Sequence, residues 1–459
     1  MSEFDLSSLS RRDMLKTLAT ASLMGAGGLE LLAACNTGSP SAAVTPGGPT
    51  TLTMSHWVGW MADYIPMIKA KTGIDIQADQ TPYPQYWQKL LAQLVGGTAP
   101  DLFLSDAGQN GDIFPSNQIA PFDDYLKTAN IDASKWNIDP HVENGFRGKT
   151  MGLSVFTMED QMVNVNKALA EQDGLLAGLP LYGTPTYDTW KWDQFVQWLQ
   201  AGTKILNNGR VVQYGLGASA WRDIIARTLI ADLGGHIFDD DIGYNETKSL
   251  VDQPPVVEAI QMTADLFTKY KVMPSDSADF AVTGGTFAAK QALATVSFTS
   301  PTAYPEASTF PQVYFALPYV QTKVHTIGAN MLCVNKNSQQ KDAAFKWALT
   351  FCTDLDVRTK FVNVSLPAYD PLPIVNASPE GSAKTIALIN LSRIKSISAV
   401  PADAENVTVY PRWYGRKASA FTQQTMHDAL DSVILGKATA QQAMTTAKQA
   451  IDAKLALAR

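Results

Sequence analysis

The sequence predicts an α/β protein whose sheets are mostly parallel and flanked by helices. Strand-like and helix-like segments alternate from Thr51 onward, and such alternation argues for parallel sheet with helices on its faces. The helical segments carry apolar stripes at i, i+3, i+4 and i+7, as in Trp192, Phe195, Val196 and Leu199. The chain has 459 residues, 46% of them hydrophobic, so the part from Thr51 can build two domains with cores of their own.

The first five segments set the pattern. TLTMSHWV, from Thr51, reads as a strand, ADYIPMIKAKTG as a helix and IDIQAD as a second strand. YPQYWQKLLAQLVGG reads as a helix closed by Gly96 and Gly97, and PDLFLSDA as a buried strand. Ligands of such sheets bind beyond the carboxyl ends of the strands, which draws Trp57 and Asp106 toward one crevice. MGLSVF and MVNVNKAL read as strands separated by the polar link Thr157 to Asp160. TWKWDQFVQWLQAGTKIL, residues 189–206, reads as one amphipathic helix, followed by the strand QYGLGA and the helix WRDIIARTLIADLGG. PPVVEAIQMTADLFTKY is a helix that opens on proline, which suits a first turn. FAAKQALATVSFTS is a helix running into a strand, VYFALPYV a strand, and IGANMLCVNKN a strand feeding the helix DAAFKWALTFC. Beyond Pro367 the chain reads as mostly helical. Gly436 ends one helix there, and Thr439-Ala440-Gln441-Gln442 has the form of a capping box for the last.

The amino terminus has a different character. SRRDMLK, from Ser10 to Lys16, resembles a twin-arginine export signal with Met14 where phenylalanine is usual. The uncharged run Thr17 to Leu29 is 13 residues long. A bilayer span needs about 20, so the run reads as the apolar region of a signal peptide. Leu32-Ala33-Ala34-Cys35 resembles the bacterial lipobox, whose cysteine sulfur receives a diacylglyceryl group after the preceding peptide is cut away. Residues 1–35 are therefore expected to be a lipoprotein signal peptide, and Cys35 the lipidation site. Export, with a lipid anchor at the outer face of the cell membrane or in a periplasm, follows. Residues 36–50, NTGSPSAAVTPGGPT, have the composition of a flexible linker.

Charge and chemistry narrow the function. Lys and Arg number 36 against 43 Asp and Glu, and no basic stripe occurs, which argues against nucleic acid and against an anionic membrane surface as ligand. Cys333 and Cys352 sit in apolar segments and read as two buried free thiols. The five histidines are isolated, with no H-E-x-x-H and no Cys/His cluster, so no metal is expected. The GKT at Gly148 lacks the first glycine of a phosphate loop, since Glu143 stands there, and GLGASA lacks the last glycine of a dinucleotide turn. Asp239-Asp240-Asp241 imitates a calcium loop, but Tyr244 takes the place of its turn glycine, and the acids read as a solvated turn.

Seven segments, in order, resemble the extracellular solute-binding proteins of bacterial ATP-driven (ABC) importers, the family that includes the maltodextrin-binding protein. They are GGTAPDLFLSD, MEDQMVNVNKAL, TWKWDQF, LGGHIFDDD, AAKQALATVSF, IGANMLCVNKNSQQKDAAFKWALTFC and WYGRKASAFTQQTMHDALDSVILGKATAQQAM. The resemblance covers nearly all of Thr51 to Arg459. It implies a two-lobe periplasmic-binding-protein-like fold of type II, with residues 51–158 and 325–365 in an N-terminal lobe and 159–324 and 366–459 in a C-terminal lobe. Ligand would be held in the cleft as the lobes close, and the closed form would dock on membrane permease subunits. A carbohydrate ligand, no cofactor, no chemistry and a monomer are implied. Glu159 takes the position of the family's hinge-strand glutamate, seven residues before Asn166. Trp413 takes that of its sugar-stacking tryptophan, and Phe298 that of a cleft aromatic. Two positions depart: Ser105 stands where maltodextrin binders carry tryptophan, and Arg222 near where they carry glutamate. These departures count against linear maltodextrin, while a smaller sugar fits, and the expected ligand is a mono- or oligosaccharide.

The residues themselves suit a sugar. A pyranose offers an apolar C–H face to an aromatic ring and hydroxyls to carboxylates or amides. Trp57, Trp60, Trp221 and Trp413 are the candidate faces, and Trp192 and Trp347, on apolar helical stripes, are core. Either Trp57 or Trp60 could instead pack on the first helix. Asp106 and Glu159 end strands and are candidate hydroxyl acceptors, or else a helix cap and a surface acid. A secreted lipoprotein glycosidase is the rival from another class, since two carboxylates can flank a scissile bond. Another small polar or anionic solute on the same fold is a third reading, supported by Arg222 and Arg412.

Overall fold

The computed structural model describes residues 50–106, 109–137, 145–159, 162–187, 189–217, 223–240, 245–274, 285–297, 310–323, 325–391, 407–409 and 419–457. The leader and Cys35 lie outside them. Strands β1 (Thr51–His56), β2 (Asp75–Gln80) and β3 (Leu102–Asp106) run parallel, with helices α1 (Ile65–Thr72) and α2 (Tyr83–Gly96) as crossovers. β4 (Ile119–Ala120), α3 (Asp123–Thr128) and the hairpin of β5 (Gly145–Phe146) and β6 (Lys149–Thr150) lead to β7 (Leu153–Glu159). β8 (Met162–Asn166) opens a second sheet, followed by α4 (Lys167–Gln172), α5 (Trp192–Ala201), β9 (Lys204–Ile205) and β10 (Val211–Gly217). Then come α6 (Asp223–Asp232), α7 (Pro254–Thr268), β11 (Ala292–Ser297) and β12 (Gln312–Ala316). β13 (His325–Asn335) returns to the first sheet, ahead of α8 (Lys341–Thr353), α9 (Leu355–Phe361) and β14 (Leu366–Pro367). The carboxyl-terminal part holds α10 (Pro371–Ala377), α11 (Ser382–Leu391), β15 (Val407–Val409), α12 (Ser419–Ile434) and α13 (Ala440–Leu457).

The first sheet has the order β14-β7-β13-β3-β1-β2, with β4 and β15 also on β13, and the second has the order β12-β8-β11-β10-β9. Both are mixed, which corrects the expectation of mostly parallel sheets. In the second sheet, among the described residues, only β10 and β11 pair in parallel. A parallel neighbour requires a crossover over one face of its own sheet. The short links β7 to β8 and β12 to β13 leave one sheet for the other, so they carry no such constraint, and β13 enters antiparallel between β3 and β7. The link read as separating two strands is itself strand as far as Glu159, because Thr157 pairs with Ala329 on one side and Leu366 on the other.

Strand periodicity divides the first sheet into two buried faces. Leu102, Leu104, Leu332 and Val334 face a core with Ile68, Phe345, Trp347 and Phe361. Phe103, Met331 and Cys333 face Tyr86, Trp87, Leu90 and Leu94 of α2. Cys352 belongs to the first of these faces and Cys333 to the second, so the sheet separates them and both are free thiols. Burial pushes both thiols well above their usual range. The second core gathers Val163, Val165, Leu216 and Phe315 beneath the predicted stripe of α5, with Leu229, Ile260, Leu430 and Ile451 from four further helices. Burying each large apolar side chain contributes about 1.5–3 kcal/mol.

Helix ends follow the local chemistry in two of three cases. Gly97 closes α2 at φ 71°. The capping box of α13 is present, with Thr439 N donating to Gln442 Oε1 at 3.0 Å and Gln442 N to Thr439 Oγ1 at 3.2 Å. The helix read over 189–206 stops at Ala201, however, and Lys204–Ile205 is strand. Thr203 Oγ1 donates to Leu199 O at 2.8 Å and accepts from Gly215 N at 3.0 Å, turning the chain into the sheet edge. There β10 passes α5 at backbone contact: a Cβ on Gly215 would lie 2.1 Å from Leu199 O. Gly215→Ala is therefore expected to cost about 3 kcal/mol or more, since neither backbone can retreat without unpacking the core. Urea unfolding measures it.

Among the described residues the chain crosses between the sheets three times: from β7 to β8, from β12 to β13, and from β15, paired with β13, to α12, which packs in the second core. α11 bridges the cores as well. Its Leu391 packs with Val362 and Leu366, its Ile386 and Ile389 pack on Met162 of β8, and Asn390 Nδ2 donates to Thr157 O at 2.9 Å.

Candidate functional site

Parallel strands bring their carboxyl ends to one edge. At that edge of the first sheet Trp57 follows β1, Asp106 ends β3, and Tyr83 opens α2. Trp57 is half-buried, and its ring stands edge-on to Tyr83 at 5.4 Å and Tyr86 at 4.9 Å, and tilted to Trp87 at 5.1 Å. Tyr86 is fixed from below, donating to Leu104 O at 2.5 Å. Tyr83 Oη donates to Asp106 Oδ2 at 2.7 Å, and Gln109 N donates to Asp106 Oδ1 at 3.0 Å. One aromatic face and one carboxylate are thus joined through a single tyrosine. Tyr83 was not singled out in the sequence; its place at the start of a helix entered from a strand's carboxyl end is the signal that marks it.

Trp60 is held differently. Its ring lies 5.1 Å from Phe361, 6.0 Å from Tyr64, 6.1 Å from Phe156 and 6.2 Å from Phe351, so four of its contacts are with the first core. Glu159 ends β7 opposite Ile327 of β13, at the first crossing between the sheets. Its side chain lies outside the described residues, as do Trp221, Arg222, Phe298, Arg412 and Trp413. The elements beside them are described. β10 and β11 are parallel neighbours and end together, with Gly217 opposite Thr295. Phe298 follows β11 directly in sequence, and Trp221 and Arg222 directly precede α6.

A polar chain leads from that end across the second sheet. Buried Ser297 Oγ donates to Asn164 Oδ1 at 3.0 Å, and Asn164 Nδ2 donates to Gln312 Oε1 at 3.3 Å. The start of α6 is anchored by charge: Asp223 lies 3.1 Å from Arg227 Nε and 2.9 Å from His427 Nε2 of α12. His427, isolated in sequence, therefore stands beside a buried ion pair. At the end of β1, burial pushes the His56 imidazole below its usual range, against a hydrogen bond with the Val58 backbone and the Asp79 carboxylate, which raise it. The unfolded chain then takes up a proton near pH 6.5 that the folded one refuses until lower pH. Stability is expected to fall as pH drops below about 6.5 and to level off below the folded value, and His56→Gln to flatten that slope in urea midpoints measured across it.

Among the described residues no cluster of His, Cys, Asp and Glu could hold a metal ion, and no helix is long and apolar enough to cross a membrane. Rings and one strand-end carboxylate can grip a polar solute. Residues 57–351 match the family described as bacterial extracellular solute-binding protein. This chain belongs to that family. Solved structures of similar fold place the solute-binding protein among two-lobe α/β relatives. The ABC substrate-binding protein from Listeria monocytogenes in complex with cycloalternan is 18% identical, with 89% of this chain and 100% of that one covered at a TM-score of 0.73. An ABC transporter solute-binding protein from Thermotoga lettingae TMO bound with alpha-D-tagatose is 20% identical, with 88% and 100% covered at 0.68. The maltose/maltodextrin-binding domain from Bdellovibrio bacteriovorus bound to maltotriose is 15% identical, with 89% and 100% covered at 0.66. The family and these relatives are binding proteins rather than enzymes.

Proposed function

We propose that this chain is the substrate-binding component of an ABC importer, tethered outside the cell by lipid, and that its ligand is a carbohydrate. The observation that carries this reading is the joined group of Trp57, Tyr83 and Asp106 at the carboxyl ends of β1 and β3. It offers a ring face and a fixed acceptor, the pair a pyranose needs, in a fold whose relatives hold cycloalternan, alpha-D-tagatose and maltotriose. Trp413 serves as a stacking platform and Glu159 as a hydroxyl acceptor in the link between lobes. Trp221, Arg222, Phe298 and Arg412 complete the cleft, with Trp60, backed by the first core, at its rim. The lobes divide as residues 51–158 with 325–365 and 159–324 with 366–459, β14 and β15 reaching back into the first sheet. The monomer closes on its sugar, needs no cofactor, and docks closed on the permease.

The test is a titration of the soluble part with cycloalternan, alpha-D-tagatose, maltotriose and other mono- and oligosaccharides, followed by tryptophan emission. A saturable one-to-one change with at least one of them is expected, at micromolar affinity or about −8 kcal/mol. Silence with every sugar, beside binding of a small anion, would favour the reading built on Arg222 and Arg412.

The tether makes a separate prediction. Residues 36–50 would reach roughly 20 Å as a flexible coil, and two or three acyl chains on Cys35 hold stably where one does not. Cys35→Ala is expected to leave the protein folded and move it to the soluble fraction. Retention on membranes after a high-salt wash would remove the anchor.

A further inference from the structure

One carboxylate grips the second crossing between the sheets. Asp232, the last residue of α6, is 2% exposed. Its Oδ2 accepts from Val320 N at 2.5 Å, and its Oδ1 accepts from Gln321 N at 2.8 Å and Thr322 N at 2.7 Å. These successive amides lie between β12 of the second sheet and β13 of the first, outside helix and strand. Just ahead of them Trp192 N donates to Tyr319 O at 2.8 Å, and Lys191 Nζ sits 3.7 Å from the Tyr319 ring centre. Residues 319–322 are thereby fastened to α5 and α6, both elements of the second core, whereas from His325 the chain pairs in the first sheet.

The position is one that helix energetics disfavour. The last turn of a helix carries the negative end of its dipole, where an acid is destabilising. Backbone amides aimed in succession at one carboxylate form an anion nest, and each bond is charge-assisted. What offsets the unfavourable placement is therefore the crossing and not the helix. The other end of α6 is equally constrained, by Asp223 with Arg227 and His427, directly after Trp221 and Arg222.

We infer that Asp232 is a hinge clasp: it binds the second crossing to the second lobe, so that bending in this crossing is confined to the residues beyond Thr322. One helix then joins Asp223, with Arg227 and His427, to the hinge, and the two ends move as one body. The inference rests on the proposed closing of two lobes. Asp232 is a positioning residue and touches no ligand.

The test needs no sugar. In Asp232→Asn, which keeps the shape but loses the charge and turns an amide N–H toward the nest, hydrogen exchange at residues 320–322 should quicken at least roughly tenfold. Exchange in β8 should stay as in the wild type. Small-angle scattering of the same unliganded protein should show a larger radius, because the crossing now bends earlier. Unchanged exchange at 320–322 would overturn the clasp. Faster exchange there with an unchanged scattering profile would make Asp232 a local staple and overturn its part in the hinge. If β8 also loses protection, the comparison moves to Asp232→Glu, which keeps the charge one methylene out of place, and the same two outcomes decide. Failure here leaves the sugar reading untouched, since the titration tests that separately.

Discussion

Replacing Asp223 by alanine is expected to destabilise the protein by about 3–5 kcal/mol. The Asp223 side chain is 6% exposed and that of Arg227 3%, and the carboxylate lies within 3.1 Å of Arg227 Nε and 2.9 Å of His427 Nε2. Taking it away leaves a guanidinium where water cannot hydrate it, beside an imidazole that loses the same partner. The loss comes from a buried guanidinium deprived of this carboxylate and not from any large net worth of the intact pair. Asp223→Leu combined with Arg227→Met should therefore recover much of it. Urea unfolding of the single and double variants measures both effects, and a single-variant loss under about 1 kcal/mol would show that the pair behaves as a solvated one. α6 and α12 are held together here, so the single variant should also loosen their packing on each other.

Asp106→Ala should give the largest change in affinity, on the order of 10- to 100-fold, the worth of one or two hydrogen bonds to a charged acceptor. Asp106 is partly exposed and held by Tyr83 Oη at 2.7 Å and Gln109 N at 3.0 Å, so its loss should cost the unliganded fold much less than it costs binding. Tyr83→Phe should weaken binding less, and should have no further effect once Asp106 is gone. Calorimetric titration with a sugar that binds the wild type, run across this double-mutant cycle, separates the two roles. Lower stability with unchanged affinity would make Asp106 the staple of its own loop.

Much of the fold was legible because it is written locally. The stripe of Trp192, Phe195, Val196 and Leu199 announces α5 and its buried face, and Thr439 with Gln442 announces the start of α13 before any tertiary contact is known. Strand direction was not legible. Alternation of strands and helices implies parallel pairs only while the chain stays in one sheet, and β7, β8, β12 and β13 do not. The end of α5 was overrun because Thr203-Lys204-Ile205-Leu206 suits helix by pattern, while Gly202 and the approach of Gly215 to Leu199 decide otherwise. Of the site, Trp57 and Asp106 could be named from the rule that strand ends carry ligands. Tyr83 was legible only as the start of a helix entered from a strand's end, since its bond to Asp106 spans the whole of α2 and β3. The ties of His427 to Asp223 and of Asp232 to residues 320–322 join segments far apart in sequence, and no periodicity records them.

The most direct test of the central claim, that two lobes close on a sugar and leave it unchanged, is small-angle scattering of the soluble part before and after saturation with a sugar that shifts its tryptophan emission, with the sugar then recovered and analysed. The account predicts a smaller radius of gyration at one sugar per chain and recovery of the sugar intact. An unchanged radius at saturation, or release of new reducing ends from an oligosaccharide, would contradict it.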